Sequence, residues 1–384
     1  MDSGSRSRSG HSPTRRAFLG SLAAGGLLST AGCLGALGFQ RESAWRDPPL
    51  AEDRPDAVYV PAVTEGMGMY GRTTVDRYGV ALTYSYPHRF WTLSGTETSK
   101  TVVEPDDDVH LMASLWDTET GQVLPLDSGV TIEIRDDSGL VSQEVAYPML
   151  SQKMGMHYGA NYALDGEGDY EARVQIGGVS LRRTGGFADA FESAATATIP
   201  FTFDTAELHD VSLSEPENAG ERGAIPPMEM DGVPVGRAPE VESLPGRHLG
   251  STRSGDSEAQ SASGSRAQSG DAVFEVFAVD PGSADGRFGS EPYLFVSART
   301  PHNRFVLPMM GLEATLRRDG EVLAETRLQR TLDPELGYHY GASVDGVRDG
   351  DELTIATTVP PQVARHDGYE TAFLKMDDVS IRVS

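Results

Sequence analysis

A chain of 384 residues carries Lys+Arg 32 against Asp+Glu 57, a net charge of −25, with only three lysines (Lys100, Lys153 and Lys375). The clustered cations that a phosphate backbone demands are missing, which argues against nucleic-acid binding, and a single cysteine, Cys33, excludes an intrachain disulfide and a thiolate metal cluster. Excess carboxylate suits a protein kept soluble where concentrated salt screens self-repulsion, so a halophilic archaeon is the expected setting.

Residues 1–33 read as a processing segment. Arg15-Arg16-Ala17-Phe18-Leu19 opens a short apolar run that ends in Ser29-Thr30-Ala31-Gly32-Cys33. The run is shorter than the ~20 apolar residues a spanning helix needs. It resembles a twin-arginine export signal with a lipobox, which implies cleavage before Cys33 and a lipid on its thiol. The expected location is therefore the outer face of the cytoplasmic membrane, with the protein anchored by lipid at the cell surface. Residues 34–56, with Asp47-Pro48-Pro49, read as a tether.

From 57 to 204 the chain alternates in period two. Val109-His110-Leu111-Met112-Ala113-Ser114-Leu115, Val130-Thr131-Ile132-Glu133-Ile134-Arg135 and Ala195-Thr196-Ala197-Thr198-Ile199-Pro200-Phe201 are separated by Gly, Asp and Asn turns. Such a pattern predicts an antiparallel, immunoglobulin-like β-sandwich. Residues 205–271 turn Pro-, Ser- and Gly-rich and predict a flexible, disordered linker. Strand patterning resumes over 272–384, so the expected fold class is all-β, two sandwiches joined by a linker.

The two blocks are copies. Met156-His157-Tyr158-Gly159-Ala160-Asn161 returns as Tyr338-His339-Tyr340-Gly341-Ala342-Ser343, an offset of 182 (339 − 157), and Val123-Leu124-Pro125-Leu126 returns as Val306-Leu307-Pro308-Met309. Repetition on this scale marks a duplicated domain.

Signatures of common enzymes are missing: no HExxH helix, phosphate-cradling loop, dinucleotide fingerprint or nucleophile elbow occurs, and no enzymatic activity is expected. The first block instead concentrates soft donors: Met67, Met69, Met112, Met149, Met154 and Met156, with His88, His110 and His157. His110 and Met112 lie two apart on a strand and leave the same face. Met154, Met156 and His157 follow the Tyr147-Pro148-Met149 turn, where a loop can gather donors. Thioether with imidazole is a copper-selecting set, for Cu(I) above all. The competing reading is a surface interaction or scaffold protein whose Met and His only fill the core. His88, in an aromatic turn, reads as packing.

Asp108-Val109-His110-Leu111, a Pro148-Met149 turn and His157-Tyr158-Gly159-Ala160-Asn161, in that order, resemble the periplasmic iron-transport family found with iron permeases. The resemblance covers 57–204, with a weaker echo in 272–384. It implies an immunoglobulin-like sandwich, a copper site with iron as a further candidate, a role in metal uptake or handling, and a membrane permease as partner; a homodimer is left open by the sequence. Carried over by motif, His110, Met149 and His157 match its ligands. The family's Glu two residues after the first His is Met112 here, and its later His has no counterpart, because Leu181-Arg182-Arg183-Thr184 stands there. Met112, Met154 and Met156 are the candidate additional donors. Applying the offset turns His110 into Tyr293 and Met149 into Thr331, so His339 is expected to be structural in a copy without a site. Free imidazole titrates near ~6.5, and metal affinity is expected to weaken as pH falls through that region.

Overall fold

The computed structural model describes residues 47–252, 271–281 and 285–383. The expected processing segment and Cys33 lie outside these residues. The described residues lie within one compact unit, and none of the described helices is long and apolar enough to cross a membrane.

The all-β expectation is met. One sheet runs, in order of pairing, through Ala195–Phe203, Gly168–Ile176, Val130–Asp136, Gly139–Ser151, Gly155–Tyr162, Val109–Asp117, Tyr78–Ser85 and Gly68–Val75. It curls until its ends touch, with Tyr70 4.5 Å from Phe201 between ring centroids. The second sheet repeats that order with Val379–Arg382, Glu352–Val359, Gly311–Arg318, Glu321–Asp333, Gly337–Ser343, Tyr293–Arg299, Val273–Val279 and Arg247–Thr252. Outer strands show the half-buried alternation their sequences predict: Ala195–Phe203 buries every second residue. Tyr78–Ser85 and Val109–Asp117 are buried on both faces. A strand buried on both faces needs a second layer over it, and that layer makes the site.

The repeated motifs are one device used twice. The Tyr158 hydroxyl donates to the Leu124 carbonyl and accepts from the Leu126 amide. The Tyr340 hydroxyl bonds the Leu307 carbonyl and the Met310 amide in the same way. The buried tyrosine of the HYGA motif thus pins the Leu-Pro loop across its own sandwich and satisfies main-chain groups that burial would otherwise strand.

The described part of 205–271 differs from a loose linker. Thr205–His209 is a short helix capped by Asp204. Leu213–Ser214 pairs with Thr64–Glu65. Arg247–Thr252 is the first strand of the second sandwich, paired with Val273–Val279 across an irregularity at His248/Gly250. The first sandwich has the matching irregularity at Met69/Gly71. Polar, Gly-bearing composition hid this edge strand, because its partner strand rather than its own hydrophobicity holds it.

The two sandwiches also trade strands. Ala364–Arg365 of the second repeat runs parallel to Gly139–Ser151 of the first, pairing Ala364 with Met149. Arg182–Arg183 of the first runs parallel to Glu321–Asp333 of the second, pairing Arg182 with Thr331. Both pairs are related by the repeat offset, since 364 − 182 and 331 − 149 each equal 182. A contact whose two sides are interchangeable is the isologous geometry of a twofold dimer, here within one chain. One hydrophobic cluster accordingly takes in residues of both repeats, from Leu82, Leu111 and Tyr158 to Leu312, Tyr340 and Val363.

Candidate metal centre

On Val109–Asp117, Leu111, Ala113 and Leu115 enter the shared core, so His110 and Met112 leave on the opposite face. Cross-strand partners share a face. Ser85 pairs with His110 and Thr83 with Met112 on one side. Asn161 and Gly159 stand opposite the same two residues on the other side, and Met149 faces His157 one strand further. Gly159 leaves the room this face needs. A Cβ there would sit 3.0 Å from His110 Nε2 and 3.2 Å from Met112 Cγ.

Two further imidazoles close over this face. His88 follows the strand Tyr78–Ser85, and His366 follows the exchanged strand of the second repeat. Ring centroids lie 4.0 Å apart for His88 and His110, 4.9 Å for His88 and His366, and 5.2 Å for His157 and His366. His88, His110 and His366 each offer a nitrogen within 4.8 Å of the others.

Hydrogen bonds fix which nitrogen is free. His110 Nδ1 lies 2.7 Å from Asn161 Oδ1, and the Asn161 amide donates to the His88 carbonyl. That orients its oxygen to accept from His110 Nδ1–H. His157 Nδ1–H donates to the Gly155 carbonyl at 3.1 Å, and His88 Nδ1–H to the Tyr86 carbonyl at 2.9 Å. His88 Nε2 is then an acceptor, 3.1 Å from His366 Nδ1, which donates to it. The Nε2 atoms of His110, His157 and His366 are left buried with no hydrogen-bond partner. Three buried lone pairs in one cluster are costly unless something takes them up.

Burial keeps these rings neutral. It pushes His157 down to about 4. His110 and His366 are held well below the ordinary imidazole value by burial and by their imidazole neighbours. His88 is lowered by burial as well. Neutral imidazole is the ligand form, and a main-chain or amide acceptor on the other nitrogen is the usual support of a metal-binding His. One carboxyl, Glu65, lies 3.6 Å from His88 Nδ1. Burial and the charge of Asp367 push it up to about 8, so it stays protonated at neutral pH. Uncharged nitrogen and thioether donors fit copper and do not fit Ca²⁺ or Mg²⁺, which take carboxylate oxygens.

The structure therefore brings His110, His157 and Met149 onto one face. Met149 is fully buried and packs with Phe90 and Ala364. Met112 stands beside His110 Nε2. Met154 lines a cleft at the edge of the cluster. Met156 goes the other way, into the sandwich core. The segment is a strand starting at Gly155 rather than a loop, and neighbours on a strand point to opposite faces. Sequence reasoning missed His88 and His366 as site residues. By the repeat offset, His366 corresponds to Thr184 of the first block (366 − 184 = 182).

The equivalent place in the second sandwich is closed by hydrogen bonds. His339 Nδ1 donates to the Gly337 carbonyl, its Nε2 lies 3.2 Å from the Tyr293 hydroxyl, and that hydroxyl lies 3.4 Å from Thr331 Oγ1. Thr184 donates to Asp333 at 2.7 Å, and Phe288 stacks on Tyr293 at 4.0 Å. His339 has no free nitrogen and is structural.

Residues 242–382 match the family of a domain of unknown function, DUF7350. No curated protein matches the chain. Among solved structures, FetP of uropathogenic Escherichia coli, expressed in the periplasm, is similar at 19% identity over 36% of this chain and 95% of that one, with a TM-score of 0.27. A copper-bound variant of the same FetP matches at 19% identity over 36% and 97%, TM-score 0.27. The copper-reconstituted P19 protein of Campylobacter jejuni matches at 18% identity over 36% and 96%, TM-score 0.26.

Proposed function

We propose that this chain is an extracytoplasmic metal-binding protein whose cargo is copper, held by the Nε2 atoms of His110, His157 and His366 with the thioether of Met149 beside them. The observation that carries this reading is the trio of buried, unpartnered Nε2 atoms, each on a ring whose other nitrogen already donates. A scaffold protein with core histidines would satisfy those atoms internally, as the second repeat does at His339. His88 acts through His366 by fixing its tautomer.

The wider role belongs to the same proposal: a lipid anchor at Cys33, handling or uptake of copper or iron outside the membrane, delivery to a membrane permease, and no enzymatic activity. The twofold contact expected of a homodimer is formed within one chain, so a second copy is not needed to build the centre. Metal analysis of the purified protein tests the reading. One copper per chain is expected, lost in His157→Ala and in His366→Ala and kept in His339→Ala. Equal copper in all three variants would defeat it.

A further inference from the structure

Beside the histidine cluster lies a cleft of about 690 Å³, counting its open mouth. Its inner wall includes His88 and His366, and three methionines, Met67, Met112 and Met154, line it with Pro61 and Val63. Met67 is partly exposed, whereas Met112 and Met154 are buried at 2% and 8% exposure. Met112 also reaches the histidines, its Cγ standing with His110 Nε2 over Gly159. Ser151 Oγ holds the Met154 amide at 3.1 Å and fixes the inner position.

Apolar packing explains Met149 and Met156, which are enclosed by the fold. It explains less well three methionines gathered on the wall of one open cleft beside imidazole nitrogens that have no hydrogen-bond partner. We infer that this cleft is the approach to the centre and that Met67, Met112 and Met154 are an outer soft-donor station that captures a monovalent cuprous ion and passes it to the imidazoles. Thioethers are uncharged, do not titrate, and prefer soft ions over Zn²⁺ or Ca²⁺. An ion moving from Met67 inward to Met112 would exchange one neutral donor for another until it meets His110. The step is ligand exchange only, with no change of oxidation state. The inference rests on the copper reading of the histidine centre and specifies how that centre is loaded and with which ion.

The test is loading kinetics of the full chain, with Cu(I) presented on a chromophoric chelator, Ag(I) as a redox-inert second probe, and Cu(II) uptake as the internal control. The triple variant Met67→Leu, Met112→Leu, Met154→Leu should take up Cu(I) and Ag(I) at least about tenfold more slowly. It should bind Cu(II) at the histidines with the wild-type spectrum and stoichiometry. Met67→Leu alone, at a partly exposed position outside the packed core, should slow Cu(I) by a smaller factor. Unchanged Cu(I) and Ag(I) rates in both variants would overturn the station while leaving the histidine centre standing. A parallel loss of Cu(II) would overturn it too, by showing that the methionines only support the fold of the centre. Wild-type protein that binds neither copper ion would instead remove the reading on which the inference rests.

Discussion

Each free Nε2 in the centre depends on a different partner, and these partners are the most sensitive residues that touch no metal. Asn161 accepts from His110 Nδ1 and donates to the His88 carbonyl. Asn161→Ala should lower copper affinity roughly 10- to 100-fold, the range for loss of a ligand's supporting hydrogen bond, with the fold intact by circular dichroism. Unaltered affinity would mean the ring is positioned by packing alone. The depressed pKa of His157, about 4, also sets a pH window. Between about 4 and the free imidazole value near ~6.5 the unfolded chain binds a proton at His157 that the folded chain does not. Stability of the metal-free protein is therefore lost as pH falls through that window, by up to about 3 kcal/mol from His157 alone. Glu65, raised to about 8, acts with opposite sign, its contribution being lost as pH rises through that value. The measurement is thus a difference: urea midpoints at pH 7 and 4.5 for wild type and His157→Gln, the variant showing the shallower dependence. Identical dependence would show that His157 is not held neutral. For metal binding, the expected weakening moves from near ~6.5 toward 4, because burial and not the free imidazole value governs these rings. His110 and His157 stand out by residue type among the methionines, and Met149 joins them through the family resemblance; the structure puts all three on one face. His88 was not legible in sequence, because nothing in Tyr86-Pro87-His88 shows that the loop folds back over a strand face.

The element that makes the second layer is the segment 360–373 of the second repeat, and Arg365 holds it. Arg365 is fully buried and has no carboxylate partner among its hydrogen bonds. Its guanidinium donates to the carbonyls of Pro361, Val363, Tyr369 and Ala372, and burial pushes it down to about 9. Five donors in a rigid fork can satisfy several carbonyls that point into one turn, which Lys cannot do. Next to it, Arg89 ties Asp367 at 2.7 Å, so His366 is clamped from both sides. Arg365→Met keeps much of the volume and strands these carbonyls. It should cost about 3 kcal/mol or more in denaturant unfolding and weaken copper binding through His366. A variant as stable as wild type would show that the turn is held elsewhere. At this scale strand parity separated right from wrong. His110 with Met112 was readable because both sit on one strand with an obvious period. Met156 departs from the expectation because the segment after Met149 reads as a donor-gathering loop, whereas it is a strand from Gly155, on which neighbours face opposite ways.

At the scale of the whole chain, duplication does more than repeat a domain. Each sandwich lends a two-residue strand to the other, and the lent strand of the second repeat carries the histidine that completes the first repeat's centre. The reciprocal strand brings Thr184 to Asp333, where hydrogen bonds fill what would be the second centre. One half thus holds the histidine cluster proposed to bind metal, while its counterpart closes the same place with hydrogen bonds. The repeat offset made the two sandwiches legible in sequence, and the same offset relating Thr184 to His366 was the available signal for the exchange. It went unread because a strand of two residues has no periodicity of its own to detect. The consequence is testable by cutting the chain. Residues 253–270 lie outside the described structure, and their Ser- and Gly-rich composition makes them the expected site of proteolysis. Independent domains would part after the cut. Interlocked ones should stay together, because separation exposes a core that draws Leu111 and Tyr158 from one half and Tyr340 and Val363 from the other, and removes His366 from His110 and His157. After cleavage there, both pieces should elute as one species in size exclusion, keep their copper, and come apart only in denaturant with loss of the metal. Two native fragments eluting separately, with copper retained by the N-terminal one alone, would show that the exchanged strands neither hold the halves together nor complete the site.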